Sequence, residues 1–319
     1  GIISKSASAT ISVIVFYGPD TPLQLYPGST AYRLVEGSTI PNIICSSSCY
    51  PSCEFSWAGP ILSSNEVLSL GSVNRSERGN YTCRRRNHRT QAKTDSSVVT
   101  VNVIYGPDTP VLTPNRTEYT LNESNILPNI QCSTECFPGC TTYWYKEQAK
   151  VPGIRADMLS LGDVYRNNSG TYTCRSQNME SKVTKEHAIQ LVVQYPPTAD
   201  IESRNGSYNN TDITVKCSAY GIPEQYTYRL IHMSLLSGIE IRHVSYEFIS
   251  TGVIIHRFTN PTYMDTGMYA CSVNNGIFDY TDGSLDKSVS ATIWIKGLPY
   301  ITSRETTFYT ELGHDGRLV

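Results

Sequence analysis

The sequence predicts an all-β chain: tandem β-sandwiches joined by short proline-containing linkers in an elongated array. Three observations lead there. A Cys, a Trp twelve residues on, and a closing Gly-x-Tyr-x-Cys occur at Cys45, Trp57, Gly79, Tyr81 and Cys83, then at Cys132, Trp144, Gly170, Tyr172 and Cys174. They occur once more, without the Trp, at Cys217, Gly267, Tyr269 and Cys271. Apolar residues alternate with the period of a half-buried strand, as at Ile11, Val13 and Val15, and no helix of any length is suggested. The hexapeptide YGPDTP stands at 17–22 and again at 105–110, where each proline fixes its own φ and restricts the residue before it.

The elements follow in order. Residues 9–22 (ATISVIVFYGPDTP) resemble 98–110 (VVTVNVIYGPDTP), the last strand and linker of the first complete repeat, so 1–17 reads as the last strand of a preceding domain. Three complete domains then span 18–105, 106–195 and 196–297, with cysteines 38, 42 and 54 residues apart. The third is longer, with room for an additional hairpin, and lacks the core Trp, whose place falls to Tyr228 or Tyr226. Tyr195-Pro196-Pro197 marks the joint before it. Residues 298–319 open a further strand at Pro299-Tyr300-Ile301 and read as the start of another domain.

Bulk properties narrow the setting. Ten cysteines at matching positions point to an oxidising compartment. Seven sequons, at Asn74, Asn80, Asn115, Asn122, Asn167, Asn205 and Asn209, agree with export and predict N-linked glycans. Asn80 is expected to point outward, since Tyr81 and Cys83 point in. A net charge of −2 argues against a dedicated nucleic-acid binder. No signal peptide opens the chain, and no stretch nears the ~20 apolar residues of a membrane span, so membrane attachment is expected only through segments outside these residues. The expected location is extracellular.

The YGPD linker followed by a strand, C-x(11)-W and G-x-Y-x-C resembles the tandem I-set and C2-set domains of the immunoglobulin superfamily. It is similar to carcinoembryonic-antigen-related adhesion molecules and hemicentin-type matrix proteins. The Cys-x-x-x-Asn endings at Asn87, Asn178 and Asn275 are similar to the I-set strand-F ending. The resemblance implies two-sheet sandwiches with a disulfide between the sheets, and an extracellular adhesion or recognition role. Repetition then pairs Cys45–Cys83, Cys132–Cys174 and Cys217–Cys271. It leaves Cys49–Cys53 and Cys136–Cys140 as staples across the loop between strands B and C.

Two features could carry binding. The staples lie in CSSSCYPSC (45–53) and CSTECFPGC (132–140); a loop that short contributes about 2 kcal/mol. A staple can preorganise a ligand-binding tip or steady a loop near a domain joint, and the second reading weighs more; a metal site ranks well below both, because no His clusters with these thiols. Beside it in sequence stand Arg84, Arg85, Arg86 and Arg89. Alternation sends Arg85 inward, where a buried guanidinium needs a partner, so the strand is expected to end or twist out there. The B–C and F–G loops leave an immunoglobulin sandwich at one end, which would bring staple and arginines together as a candidate anionic-ligand site in the first domain. Against it stands a plain solvated face balanced by Glu54 and Glu77. Twenty-two tyrosines against seven phenylalanines suit protein or glycan contacts, and also ordinary strand propensity.

No G-x-S-x-G, H-E-x-x-H, Walker loop or G-x-G-x-x-G is present, and six scattered histidines show no ligand spacing. No catalytic residue, metal ligand or cofactor is expected. The leading expectation is an adhesion or recognition segment that binds extracellular protein or glycan, with like-with-like contact among the options. The alternatives are a structural spacer array in a secreted or matrix assembly, and the ectodomain of an enzyme-linked receptor.

Overall fold

The computed structural model describes residues 8–19, 22–89, 96–152, 156–207 and 212–296. The expected further domain at 298–319, residues 1–7 and the sequon at Asn209 lie outside the described residues. Those described group into two compact units, and the division passes through the middle sandwich. Asn129–Ser160 and Thr171–Ile189 go with the first sandwich, whereas Glu118–Pro128, Leu161–Gly170 and the chain from Gln190 go with the third.

In the first unit, period-two alternation builds β1 (Gln24–Tyr26), β2 (Ala31–Val35), β3 (Ile43–Ser46), β4 (Glu54–Ala58), β5 (Val67–Leu68), β6 (Gly79–Arg86) and β7 (Ser96–Ile104). They form two sheets, β1-β3-β5 and β2-β7-β6-β4, with β2 parallel to β7 and its neighbours antiparallel. Ile43, Cys45, Trp57, Leu68, Tyr81, Cys83, Val99, Val101 and Val103 fill the space between them. Burying one large apolar side chain of this kind contributes about 1.5–3 kcal/mol. Trp57 stands opposite Cys83 in the register, and its indole N–H donates to the Glu66 carbonyl at 3.1 Å. The Tyr81 hydroxyl donates to the Glu77 carbonyl at 2.8 Å and fixes the corner into β6.

The middle sandwich contributes β8 (Val111–Thr113), β9 (Glu118–Asn122), β10 (Ile126–Leu127), β11 (Ile130–Ser133), β12 (Cys140–Lys146), β13 (Ala149–Lys150), β14 (Met158–Leu159), β15 (Gly162–Asp163), β16 (Gly170–Asn178) and β17 (Thr184–Arg204). In the first unit Trp144 repeats the place of Trp57, opposite Cys174. In the second unit β9 runs parallel to β17 from Glu118 opposite Gln190 to Asn122 opposite Gln194. Strand β17 serves both the middle and the third sandwich. Its pairing with the next strand lapses between Tyr195 and Thr198, where Pro196 and Pro197 lack an N–H.

The third sandwich adds β18 (Gly206–Ser207), β19 (Thr214–Ile222), β20 (Thr227–Met233), β21 (Glu240–His243), β22 (Glu247–Ser250), β23 (Val253–Arg257), β24 (Gly267–Asn274), β25 (Lys287–Ile293) and β26 (Ile295–Lys296). Its extra length is used by β21, at the edge of the β21-β20-β24-β25 sheet, and by β22, at the edge beside β23.

Among the described residues, 8–16 are paired with no strand, and Tyr17 bridges to Tyr50. Two expectations change. The missing Trp is replaced by Leu230, not by Tyr226 or Tyr228. Leu230 lies opposite Cys271 because the connection from Cys217 is one residue longer than in the other repeats. The Trp volume is made up by rings: His232 stacks on Tyr269 with centroids 4.6 Å apart, and Phe258 meets Tyr269 edge-on at 5.4 Å. Finally, β6 neither ends nor twists out at Arg85. The strand runs to Arg86 and buries Arg85, whose guanidinium donates to the Ser47 hydroxyl.

Candidate functional site at the domain joints

The stapled loops hold linkers. In the first sandwich Cys49–Cys53 closes a turn with Cα atoms 5.6 Å apart, between β3 and β4. Across it, the Tyr17 and Tyr50 amides donate to each other's carbonyls at 3.0 and 2.9 Å, and their rings stack at 6.2 Å. The middle sandwich repeats this with Cys136–Cys140, where Tyr105 and Phe137 exchange bonds of 3.2 and 3.0 Å. The glycine after each tyrosine is required. Gly18 and Gly106 have φ of +81° and +73°, and a Cβ on either would collide with a loop carbonyl, that of Ser48 or of Glu135.

A buried asparagine completes each loop. The Asn178 amide donates to the Tyr105 carbonyl at 2.9 Å and the Phe137 carbonyl at 3.0 Å. Asn87 does the same to Tyr17 at 3.1 Å, and Asn275 to Tyr195 at 2.9 Å and Pro223 at 3.2 Å. Sequence reasoning saw these asparagines only as strand endings. They fasten the incoming linker to the B–C loop, and they do so in the third sandwich without a staple. A buried amide with two carbonyl partners is well satisfied, and removing it would strand both.

From the other side, the exit end of one sandwich grips the linker leaving it. The 3-10 helix Arg75–Glu77 is capped by Asn74, whose side chain accepts from the Ser76 amide at 3.0 Å. Its first residue, Arg75, bonds Glu36 at 3.0 Å and Asp108 at 2.7 Å while its guanidinium lies 4.5 Å from the Tyr105 ring centroid. Arg78 lies 3.9 Å from the Phe137 ring centroid, and Arg33 pairs with Glu180. Hydrogen bonds from Arg75 hold the Glu36 and Asp108 carboxyls below the usual range, and Arg33 does the same to Glu180. In the second unit the 3-10 helix Arg166–Asn168 repeats the arrangement. Arg166 bonds Glu123 at 2.7 Å and lies 4.4 Å from the Tyr195 ring centroid. This clamp was missed in the sequence, yet a signal was there: in both repeats an arginine stands six residues before the corner tyrosine, Tyr81 or Tyr172.

The basic run is divided by its strand. Arg84 and Arg86 are exposed on the outer face of β6, with Glu54 opposite Arg86 and paired to His88. Arg85, only 2% exposed, cannot meet a ligand and leaves the candidate site. The B–C and F–G turns do meet, through Asn87, and Arg89 lies 5.9 Å from the Phe16 ring centroid. Among the sequons, Asn74 caps its 3-10 helix, Asn80 faces outward and accepts from the Thr100 hydroxyl at 2.9 Å, and Asn115 and Asn167 are exposed. Asn122 is half-buried in β9, and the exposed Asn205 accepts from the Trp294 amide at 2.9 Å. The remaining cysteines pair as Cys45–Cys83, Cys132–Cys174 and Cys217–Cys271 between sheets. Among the described residues no helix is long and apolar enough to cross a membrane.

No family model matches the sequence. The chain is 26% identical over 222 residues to the basement membrane-specific heparan sulfate proteoglycan core protein of Mus musculus, covering 68% of this chain and 6% of that one. It is 27% identical over 256 residues to hemicentin-1 of Homo sapiens, covering 78% and 4%. The chain thus spans a small fraction of these relatives' lengths. The Ig1–Ig3 ectodomain of mouse nectin-like molecule 4 has the same fold, with a TM-score of 0.54 at 16% identity over 86% of this chain and all of that one.

Proposed function

We propose that this tandem array of immunoglobulin-superfamily domains is a non-catalytic segment that sets the spacing and direction of successive sandwiches in an adhesion or matrix assembly. The chain is extracellular, as its five disulfides and its relatives indicate. The observation that supports the proposal is the repeated clamp: glutamate, arginine and linker tyrosine in the same arrangement at Glu36, Arg75 and Tyr105 and at Glu123, Arg166 and Tyr195. Staple, glycine and asparagine hold the Tyr105 linker from its far side, and asparagine alone holds the Tyr195 linker. The stapled loop expected at a binding tip is engaged with the linker instead, which favours spacing over recognition at that loop.

The test is the end-to-end distance distribution of the chain, read by paired spin labels in the first and third sandwiches. A narrow distribution that broadens when Arg75 and Arg166 are both changed to Ala supports the proposal. A distribution equally broad in both chains removes it. A second reading, recognition of an anionic glycan in the first sandwich, is favoured by Arg84 and Arg86 pointing outward together beside Arg89.

A further inference from the structure

The two disulfides of the middle sandwich stand in different surroundings. Cys132–Cys174 joins the sheets, with its cysteines 1% and 0% exposed. Cys136–Cys140 lies outside that core. Both of its cysteines are half-buried, and both line an open pocket of about 540 Å³ that Gly139 and Thr141 also line. Cys132 borders the same pocket but stays closed off. A thiolate must reach a sulfur to exchange with it, so the staple is the accessible bond of the two.

The residues around the staple hold the linker. Phe137, inside it, exchanges backbone bonds with Tyr105 at 3.2 and 3.0 Å and lies 3.9 Å below Arg78. Glu135, just before it, accepts from the Asp108 amide at 3.1 Å. Cys140 is the first residue of β12, so the bond pins this loop to a paired strand. Without the bond the loop is tied to β12 only through Pro138 and Gly139, and a Cβ on Gly139 would meet nothing within 4 Å. A joint of this kind forms without a staple, since Asn275 holds the Tyr195 linker in the third sandwich. The staple is therefore free to open.

We infer that Cys136–Cys140 is a thiol-exchange site, and that its reduction by a dithiol loosens the joint between the first and middle sandwiches while both stay folded. The inference rests on the reading that the joints set spacing. One thiolate of the dithiol attacks a staple sulfur, the Sγ–Sγ bond breaks, and the other cysteine leaves as a thiolate that takes up a proton. The second thiol of the dithiol, once deprotonated, attacks the mixed disulfide and releases the first cysteine. Two electrons and two protons have then passed to the staple, and the dithiol has become a disulfide. The two Cα atoms stand 6.0 Å apart, within the span of a disulfide, so an oxidised dithiol runs the exchange backwards.

Dithiothreitol is the probe. The full chain is held without denaturant at graded ratios of reduced to oxidised dithiothreitol, then quenched, alkylated and mapped by peptide mass spectrometry. Cys136 and Cys140 are expected to alkylate at a ratio about ten-fold lower than Cys132 and Cys174. Where Cys136 and Cys140 are free and Cys132–Cys174 is intact, the Tyr105 and Asp108 amides are expected to exchange several-fold faster, with β12 and β16 still protected. The double variant Cys136→Ser, Cys140→Ser should show that fast exchange before any dithiothreitol is added. Alkylation of Cys136 and Cys140 only together with Cys132 and Cys174 overturns the inference. So does exchange at Tyr105 and Asp108 that neither the freed staple nor the double variant speeds. Faster exchange in Arg75→Ala with the staple intact would leave the spacing reading standing in either case.

Discussion

Arg75 lies 4.5 Å from the centroid of the Tyr105 ring while it bonds Glu36 on its own sandwich and Asp108 beyond the tyrosine. One side chain therefore ties the exit end of the first sandwich to both ends of a short linker segment. Each component is individually modest, since a partly exposed ion pair contributes ~0.2–1 kcal/mol and a cation–π contact about 0.5–1 kcal/mol. Their value lies in acting on one rigid fork.

Arg75→Ala is accordingly expected to weaken the joint by about 1–2 kcal/mol without unfolding either sandwich. Amide hydrogen exchange checks this. The amide of Asp108, which bonds the Glu135 carbonyl at 3.1 Å, and that of Tyr105 should exchange faster, while β6 and β16 stay protected. Arg75→Lys should recover only part of the loss, because an ammonium cannot bond both carboxylates and stack flat on the ring. Unchanged exchange at Tyr105 and Asp108 in Arg75→Ala would count against the clamp.

The glycines offer a second comparison. Gly106 and Gly37 both have positive φ, +73° and +87°, but a Cβ on Gly106 meets the Glu135 carbonyl whereas one on Gly37 meets open space. Gly37→Ala should cost only the backbone term of about 1 kcal/mol. Gly106→Ala should cost clearly more and show faster proteolysis at the linker. Thermal unfolding with limited proteolysis separates the two, and equal effects would mean that the linker is not pressed against the stapled loop.

The repeats were legible because a two-sheet core forces them. Cys45, Trp57, Tyr81 and Cys83 must all point inward, and a period of two writes that into the chain. Leu230 was not legible, since one additional residue before it moves every count made from Cys217. Arg85 misled for a related reason. Its inward position was read correctly, but a hydroxyl three strands away in sequence, on Ser47, is invisible to alternation. The joint was the hardest to read, because Arg75, Asp108, Phe137 and Asn178 are brought together by folding and not by spacing. Only comparing repeats, with Arg75 and Arg166 both six residues before a corner tyrosine, exposes it.

The divided basic run predicts a divided phenotype. Arg84→Ala and Arg86→Ala should leave stability nearly unchanged, as surface substitutions do, and should lower heparin retention if the outer face of β6 binds anionic glycan. Arg85→Ala should instead lower the unfolding midpoint, because it empties a buried site and removes the donor to Ser47. Retention of the Arg84→Ala, Arg86→Ala double variant equal to that of the parent would dispose of the glycan reading and leave spacing alone.

The third sandwich should be the acid-sensitive one, because it buries a neutral imidazole. The His232 ring is fully buried against Tyr269, with its Nε2 3.2 Å from the Thr266 carbonyl, and Gly267 has no Cβ because His232 occupies that space. Burial pushes its pKa below the usual 6.5, and burial does the same to His256, whose Nδ1 lies 2.7 Å from the Ser245 carbonyl. The charged groups nearby are Arg242, which lowers the His232 value further, and Asp265, which opposes it. The sign follows directly. Below pH 6.5 the unfolded chain takes up the proton and the folded chain does not, so stability is full above that pH and falls as pH drops, by ~1.4 kcal/mol for each unit of depression. The Asp265 carboxyl, held low by the Thr262 amide and by Arg242, would lose its contribution only in a separate, more acidic window, as pH falls from the usual carboxylate range through its own lowered value. Hydrogen exchange at about pH 7.5 and about pH 5, corrected for intrinsic rates, should therefore show protection falling in β20 and β24 while β6 of the first sandwich holds. His232→Gln, which keeps a donor for Thr266, should remove much of that difference, with His256→Gln removing the rest. Parallel loss of protection in β6 and β24, unaltered by either substitution, would show that His232 and His256 do not govern the response.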